Sequence, residues 1–202
     1  MKARKPAGDR KAEILEAALD LAFHEGPDRV TTGMIAQRLG LTQPAIYKHF
    51  PSKDDIWQSV AQNLCDQIAS NIAQAAARAT HPVEHIRMLI LGHLQLVHRT
   101  PALPEIMVVR DPKGEQTTVQ KEMQASMADF FRTLVQVITK AQGGGTLRAE
   151  IDARDIATLV FGVIQGLVLR LLVTRNPDVL LEDSERLLDL QISAFATNGD
   201  HT

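Results

Sequence analysis

Four side chains in the segment Thr31–Phe50 could contact DNA if that segment is helical. Gln43 and Tyr47 are four residues apart, as are Pro44 and Lys48, so a helix would place all four on one face. An amide can bond a base edge, lysine and tyrosine can bind phosphate, and a proline ring can contact a thymine methyl group. This combination predicts a helix that lays its polar face in the major groove.

The neighbouring residues supply what such a helix needs for support. Ala36 is small enough for two helices to pass closely, Gly40 suits a turn with a positive backbone angle, and Ile46 points back into a core. Thr31 and Thr42 stand where each helix would begin and can accept from its free amides. The spacing predicts a helix-turn-helix across the segment. An ordinary helical hairpin inside an all-α core also fits the spacing alone.

The residues that follow resemble a known family. Ile46–Asp54, with the sequence IYKHFPSKD, resembles the end of the DNA-binding domain of the tetracycline-repressor (TetR) family, and Thr31–Ala36 resembles an earlier part of it. The resemblance is specific over roughly Lys11 to Ile56 and architectural beyond that. At Gly33 the family usually carries a longer, often charged side chain, so a phosphate contact there would come from the backbone amide.

The resemblance implies a set of DNA-contacting residues. They are Thr31, Thr32, Thr42, Gln43, Pro44, Ala45, Tyr47, Lys48, His49 and Lys53. Gln43 is the expected base reader, and Pro44 and Ala45 are expected to touch a thymine methyl group. The expected phosphate contacts are Thr42, Tyr47, His49 and Lys53, with Lys48 suited to either role. A homodimer would present two such helices about 34–36 Å apart to a palindromic DNA operator.

The distribution of charge favours DNA at one end of the chain. Residues 1–53 carry nine Lys or Arg against six Asp or Glu, whereas residues 54–202 carry thirteen against eighteen. The net charge of −2 conceals this basic front. Cys65 is a single cysteine and cannot form an internal disulfide, which suits a cytoplasmic location. The start, MKARKPAGDRK, lacks the apolar stretch of a signal peptide.

Helical periodicity and helix stops predict an all-α protein of about nine helices. The domains expected are a flexible basic arm over residues 1–9, a helix-turn-helix domain over 10–56, and an effector-binding and dimerisation domain over 57–202. The arm either reaches DNA or is an untethered terminus. The helices are expected at about Asp9–Glu25, two within Thr31–Phe50, one from Ser52 past Ile72, then Pro82–Thr100, Glu105–Val109, Gln116–Ala141, Ala153–Thr174 and Val179–Ala196.

The eighth helix is apolar nearly all round, and two interpretations compete for it. Its length is borderline for a membrane span, but Thr158, Gln165 and Arg170 interrupt it. Gly162 and Gly166 would let two helices approach closely. We expect no membrane and a soluble dimer, for which the resemblance implies a four-helix interface. The interface residues expected are Gly162, Gly166, Leu181, Leu188, Ile192 and Phe195.

A small apolar effector is expected in the body of the protein, mainly from the resemblance. Helices 5 and 7 carry long apolar stripes that could line a cavity. The candidates are His93, Met123, Met127, Phe130 and Gln165. Each of these residues could equally be part of an ordinary core.

No enzyme activity, cofactor or metal is expected. His81-Pro82-Val83-Glu84-His85 matches a zinc-protease pattern, but Pro82 most naturally opens a helix, which leaves His81 at the cap and off the His85 face. The sequence therefore predicts a ligand-responsive DNA-binding regulator, most simply a repressor. The alternatives are a helical interaction protein of the same fold without an effector, and a metal-dependent helical enzyme.

Overall fold

The computed structural model describes residues 7–108 and 117–197. Within those ranges the chain forms ten helical segments and no strand, apart from one isolated bridge between Leu147 and Ala196. The segments are α1 Ala7–Glu25, α2 Thr32–Leu39, α3 Gln43–Tyr47, α4 Lys53–Arg78, α5 Pro82–Arg99, α6 Leu103–Val108, α7 Thr118–Gly143, α8 Ala153–Thr174, α9 Val179–Glu182 and α10 Ser184–Ser193. The prediction of an all-α fold is confirmed.

The predicted ninth helix is divided, which corrects the sequence interpretation. It breaks at Asp183, whose backbone has φ −112° and ψ −7°. The hydroxyl of Ser184 donates to the carbonyl oxygen of Leu181 at 3.2 Å and so replaces a helical amide as its partner. Arg170 from α8 and Arg186 both donate to the Asp183 carboxylate, which lowers its pKa, Arg186 having the larger effect.

The predicted arm falls largely outside the described residues. Ala7–Asp9, its last three residues, belong to α1. Elsewhere the helix bounds agree with the sequence within a few residues, and α8 begins and ends where predicted. Asp152 caps α8 by accepting from the amide of Arg154 at 2.7 Å.

Packing divides the described residues into two units, and the functional boundary expected after residue 56 stays a prediction. Of the described residues, unit 1 contains 7–65, 102–108 and 117–124, and unit 2 contains 66–101 and 125–197. In unit 1, α1 packs against α2 and against α6. The side chains of Ile14, Ile35 and Ile46 are buried there. The helix-turn-helix therefore has an apolar core of its own beneath it.

Unit 2 contains α5, α8, α9 and α10 packed against one another. One face of α8 is buried, through Ile156, Val160, Ile164, Leu167 and Leu171, which recur at helical spacing. The opposite face of α8 is exposed and also apolar.

Among the described residues, α8 is the one helix long and apolar enough to cross a membrane by length and composition. One-third of its most apolar stretch is buried. A single such helix is weak evidence, because core helices of soluble proteins pass the same test.

Candidate nucleic-acid interface

The turn between α2 and α3 has the geometry that the sequence predicted. Gly40 has φ 64° and ψ 34°, a left-handed conformation that favours glycine. The amide of Leu41 donates to the carbonyl of Ala36 at 2.8 Å, which closes the end of α2. At the start of α2 the hydroxyl of Thr31 accepts from the amide of Met34 at 3.2 Å.

The helix α3 has an inner apolar face and an outer polar face. Ile46 and Phe50 are buried, whereas Gln43, Tyr47 and Lys48 are exposed. Pro44 lies in the first turn of α3 and is also exposed. Thr42 occupies the N-cap position, but its side chain makes no capping hydrogen bond, so its hydroxyl is not committed to the cap. The two-faced character inferred from spacing is thus observed.

A polar cluster on this surface was not foreseen from the sequence. Thr32 is the first residue of α2 and is only 5% exposed. Its hydroxyl oxygen accepts from Nε2 of Gln43 at 2.7 Å and lies 3.2 Å from the phenol oxygen of Tyr47. Thr32 was expected to contact DNA itself, but its side chain lies beneath two other candidate DNA contacts.

The remaining candidates surround α3. Ala45 and His49 are partly buried, and Lys53 donates from Nζ to the carbonyl of Asp28 at 3.3 Å. Ser52 begins α4 by accepting from the amide of Asp55 at 3.1 Å, as the sequence predicted. A Cβ on Gly33 would lie 3.7 Å from Thr31 Oγ1, an ordinary van der Waals contact, so the position could accept a side chain but has none. An anion beside this surface would meet the Lys48 ammonium group and the Tyr47 hydroxyl.

Comparison with known proteins decides the family. Residues 14–60 match the description "Bacterial regulatory proteins, tetR family", and residues 111–183 match "Tetracyclin repressor-like, C-terminal domain". The nucleoid occlusion factor SlmA of Vibrio vulnificus is 33% identical over 159 residues, 78% of this chain and 81% of that protein. The chain belongs to the TetR family.

Other relatives of this TetR-family protein are regulators. The HTH-type transcriptional regulator TtgR of Pseudomonas putida is 27% identical over 192 residues, 92% of this chain and 91% of TtgR. SmeT, the repressor of the Stenotrophomonas maltophilia multidrug efflux pump SmeDEF, superposes with a TM-score of 0.70 at 21% identity, covering 94% of this chain and 91% of SmeT. SmeT is also known in complex with triclosan. The chain is a TetR-family transcriptional regulator, and its family and relatives are not enzymes.

The structure brings only some of the expected effector residues together. In unit 2 the rings of His93 and Phe130 lie 5.1 Å apart, centroid to centroid, and both residues are buried. Met127 is partly buried, but Gln165 lies on the exposed side of α8. Met123 belongs to unit 1, where its sulfur lies 3.6 Å from Cys65 Sγ. Gln165 is therefore placed with the exposed face of α8 and not with His93.

His93 is the most unusual polar residue of unit 2. Burial lowers the pKa of its imidazole from 6.5 to about 4, so the ring is neutral at pH 7. Its Nδ1 is buried and has no hydrogen-bond partner among the described residues. Phe130 also contacts Phe161, which in turn contacts Phe131, with ring centroids 6.1 and 5.9 Å apart. Phe131 and Phe161 were not among the expected effector residues, although their apolar rings stood within predicted helices.

The first histidine of the zinc-protease pattern takes part in a helix cap. His81 is the N-cap of α5, as expected, and its Nδ1 accepts from the amide of Glu84 at 3.2 Å. The carboxylate of Glu84 accepts two hydrogen bonds from Thr80, which lower its pKa. Burial, with a smaller effect of the charge on Lys140, lowers the pKa of His85. No group of three potential ligand side chains is placed to hold a metal within the described ranges.

The expected dimer residues divide into two groups. Gly162, Gly166 and Leu181 lie on accessible surface, and a Cβ on either glycine would meet no atom of this chain within 4 Å. The other three, Leu188, Ile192 and Phe195, are buried in unit 2 and have little surface left for a partner. Within unit 2 the large exposed apolar residues are Leu159, Leu169, Val173, Leu181 and Leu190. Of the expected dimer residues, Gly162, Gly166 and Leu181 are therefore accessible to a partner, whereas Leu188, Ile192 and Phe195 are not.

Proposed function

We propose that this TetR-family regulator is a repressor that binds a palindromic operator as a homodimer and releases it when a small apolar molecule binds. The polar outer face of α3, set on a buried apolar inner face, is the observation that carries the proposal. Members of the family bind DNA and small effectors, typically as dimers. Different features of this chain support DNA binding, the dimer and the effector.

For DNA, the proposed roles follow the chemistry of each fully or partly exposed group. Gln43 reads a base edge, and Pro44 and Ala45 contact a thymine methyl group. Lys48 binds either a base or a phosphate. The proposed phosphate contacts are Thr31, Thr42, Tyr47, His49 and Lys53.

For the dimer, the exposed apolar face of α8 supports a helix-to-helix interface. Leu159, Gly162, Gly166, Leu169 and Val173 recur at three- and four-residue spacing along α8, and Val173 is 77% exposed. The open space over both glycines suits close approach of a second helix. A two-fold dimer would set two copies of α3 at one helical turn of DNA.

For the effector, the buried unpaired Nδ1 of His93 beside a row of aromatic rings supports a small, largely apolar molecule with one polar group. A buried polar atom without a partner costs free energy that a ligand could recover. α4 is one continuous helix from Lys53, three residues after Phe50, to Arg78 in unit 2. A coupling of about 1–3 kcal/mol through such an element would change operator affinity about five- to 150-fold.

The proposal is tested by selecting an operator from random DNA with the purified protein. The selected site should be palindromic, and binding should weaken steeply with salt because several phosphates are neutralised. Tyr47→Ala should weaken binding to all sequences, whereas Gln43→Ala should mainly relax preference at one base step. Unchanged base preference in Gln43→Ala would show that another residue reads the base.

A second candidate function is DNA binding that no small molecule controls. It is considered because a relative at 33% identity is named a nucleoid occlusion factor and not a transcriptional regulator. Operator affinity measured across a broad panel of metabolites and drugs separates the two. Equal affinity throughout the panel would favour this second candidate over the effector-controlled repressor.

A further inference from the structure

Thr32 occupies the junction of the two helices that meet DNA in the proposed function, on which this inference rests. It begins α2, while Gln43 and Tyr47 are the first and last residues of α3. We infer that Thr32 is a positioning residue: its buried hydroxyl orients the amide of Gln43 toward adenine and holds the phenol of Tyr47 in place.

The burial of Thr32 separates its role from that of a DNA contact. Only 5% of Thr32 is exposed, whereas Tyr47 is 45% exposed and Gln43 is also exposed. The hydroxyl oxygen lies 2.7 Å from Gln43 Nε2 and 3.2 Å from the Tyr47 hydroxyl. Both distances are within hydrogen-bonding range. One oxygen beneath the surface thus links the proposed base reader to the proposed phosphate contact.

The hydrogen bond to Thr32 determines what Gln43 has left to offer a base. A glutamine amide carries two N–H hydrogens and one carbonyl oxygen. One hydrogen is used on Thr32, so the second hydrogen and the oxygen stay available. Adenine presents an acceptor at N7 and a donor at N6 in the major groove and can match both.

The other bases match this arrangement less well. Guanine presents two acceptors, so the carbonyl oxygen of Gln43 would face another acceptor. Thymine presents one acceptor and a methyl group, and cytosine one donor, so each can make only one of the two bonds. The oriented amide should therefore select adenine at the base step that faces Gln43.

Orientation in advance of binding also strengthens the selection. A free glutamine side chain loses rotamer freedom when it binds a base, whereas one already bonded to Thr32 has lost much of that freedom on folding. Gly33, the next residue, has no side chain to share the reading of bases. The base preference of this surface should depend strongly on the one hydroxyl.

The test compares Thr32→Val with Thr32→Ser, using the full-length protein and its selected operator. Valine keeps the shape of threonine and removes the hydroxyl, and serine keeps the hydroxyl. In Thr32→Val the preference for adenine at the Gln43 step should fall about tenfold, as expected for loss of a paired amide contact. Affinity for all sequences should also fall severalfold because Tyr47 is less well held. Thr32→Ser should restore the base preference.

Two further variants separate positioning from a general loss of binding. In a Gln43→Ala background, Thr32→Val should cause no additional change in base preference. Thr42→Val is the matched control, because Thr42 is exposed and makes no capping bond. It should reduce affinity for all sequences alike and leave the preferred base unchanged. Thermal unfolding checks each variant, and Thr32→Ala replaces Thr32→Val if valine is not tolerated.

The outcomes distinguish this inference from the proposed function. If Gln43→Ala abolishes the preference while Thr32→Val keeps it, Thr32 does not position Gln43 and the inference fails alone. If Gln43→Ala keeps the preference, the base reader of the proposed function is wrong as well. Selection of guanine or thymine at this step would show the amide turned the other way and would overturn the adenine assignment.

Discussion

Acidification is expected to destabilise this regulator through His93. The imidazole is 4% exposed, and burial lowers its pKa from 6.5 to about 4. Between these two values the unfolded chain binds a proton at this residue and the native protein does not. Stability that is present above pH 6.5 is therefore lost as the pH falls toward 4.

The size of the effect follows from the two pKa values. They differ by about 2.5, and each pKa unit corresponds to about 1.4 kcal/mol, so the complete loss is about 3 kcal/mol. At pH 5 about 2 kcal/mol of this is already lost, because the unfolded imidazole is mostly protonated there and the native one mostly neutral. Against a typical stability of about 5–15 kcal/mol, this loss is measurable.

Urea denaturation at pH 7.5 and pH 5 measures this loss of stability. Both measurements use the same protomer concentration, because the stability of a dimer depends on concentration. His93→Leu is the control, since every other titrating group is present in both proteins. The wild type should lose about 2 kcal/mol more than the variant between the two pH values. Equal losses would refute the argument, because they would mean that His93 is not held neutral by burial. The variant also removes an unpaired buried nitrogen and should be no less stable than the wild type at pH 7.5.

Three other substitutions test the packing. A Cβ at Gly92 would lie 2.0 Å from Asn71 Oδ1, and Asn71 Nδ2 donates to the Leu89 carbonyl at 3.0 Å. Gly92→Ala should therefore destabilise the wild type by about 1–2 kcal/mol. In an Asn71→Ala background the same change should stabilise by about 0.5–1 kcal/mol, because alanine has the higher helix propensity. Destabilisation in both backgrounds would contradict the predicted clash with Asn71. Gly40→Ala should cost about 1–2 kcal/mol in urea denaturation because of its positive φ, and a neutral effect would argue against that conformation. Leu169→Asp should yield a monomer in sedimentation analysis, and an intact dimer would place the interface elsewhere.

Much of the secondary structure follows from local signals. The bounds of α8 could be predicted because Asp152 caps its start and Asn176-Pro177 stops it nearby in sequence. The break at Asp183 could not, because it depends on an arginine from α8 and on a serine hydroxyl that replaces a helical amide. Neither interaction leaves a repeating pattern in the sequence from which it could be predicted.

On the candidate DNA surface, too, the sequence predicts some features and only the tertiary structure shows others. Helical spacing pairs Gln43 with Tyr47 and Ile46 with Phe50, and the structure shows the first pair exposed and the second buried. The link from Thr32 to Gln43 and Tyr47 joins residues 11 and 15 positions apart. It depends on how closely α2 and α3 cross, which their separate patterns do not specify.

The sequence by itself determined the fold class and the helix-turn-helix, because helix caps, turn glycines and side-chain periodicity act over a few residues. The family followed from the resemblance of Thr31–Ala36 and Ile46–Asp54 to TetR proteins. Only the tertiary structure decided which apolar face of a helix is the core. Leu188 and Ile192 were expected at a dimer interface, but they are buried within the protomer, while Leu169 and Leu190 are exposed. The hydrophobic effect is non-directional and rewards burial against any apolar surface. An apolar stripe therefore shows that something must cover it, and the packed structure is needed to show whether that is the chain itself.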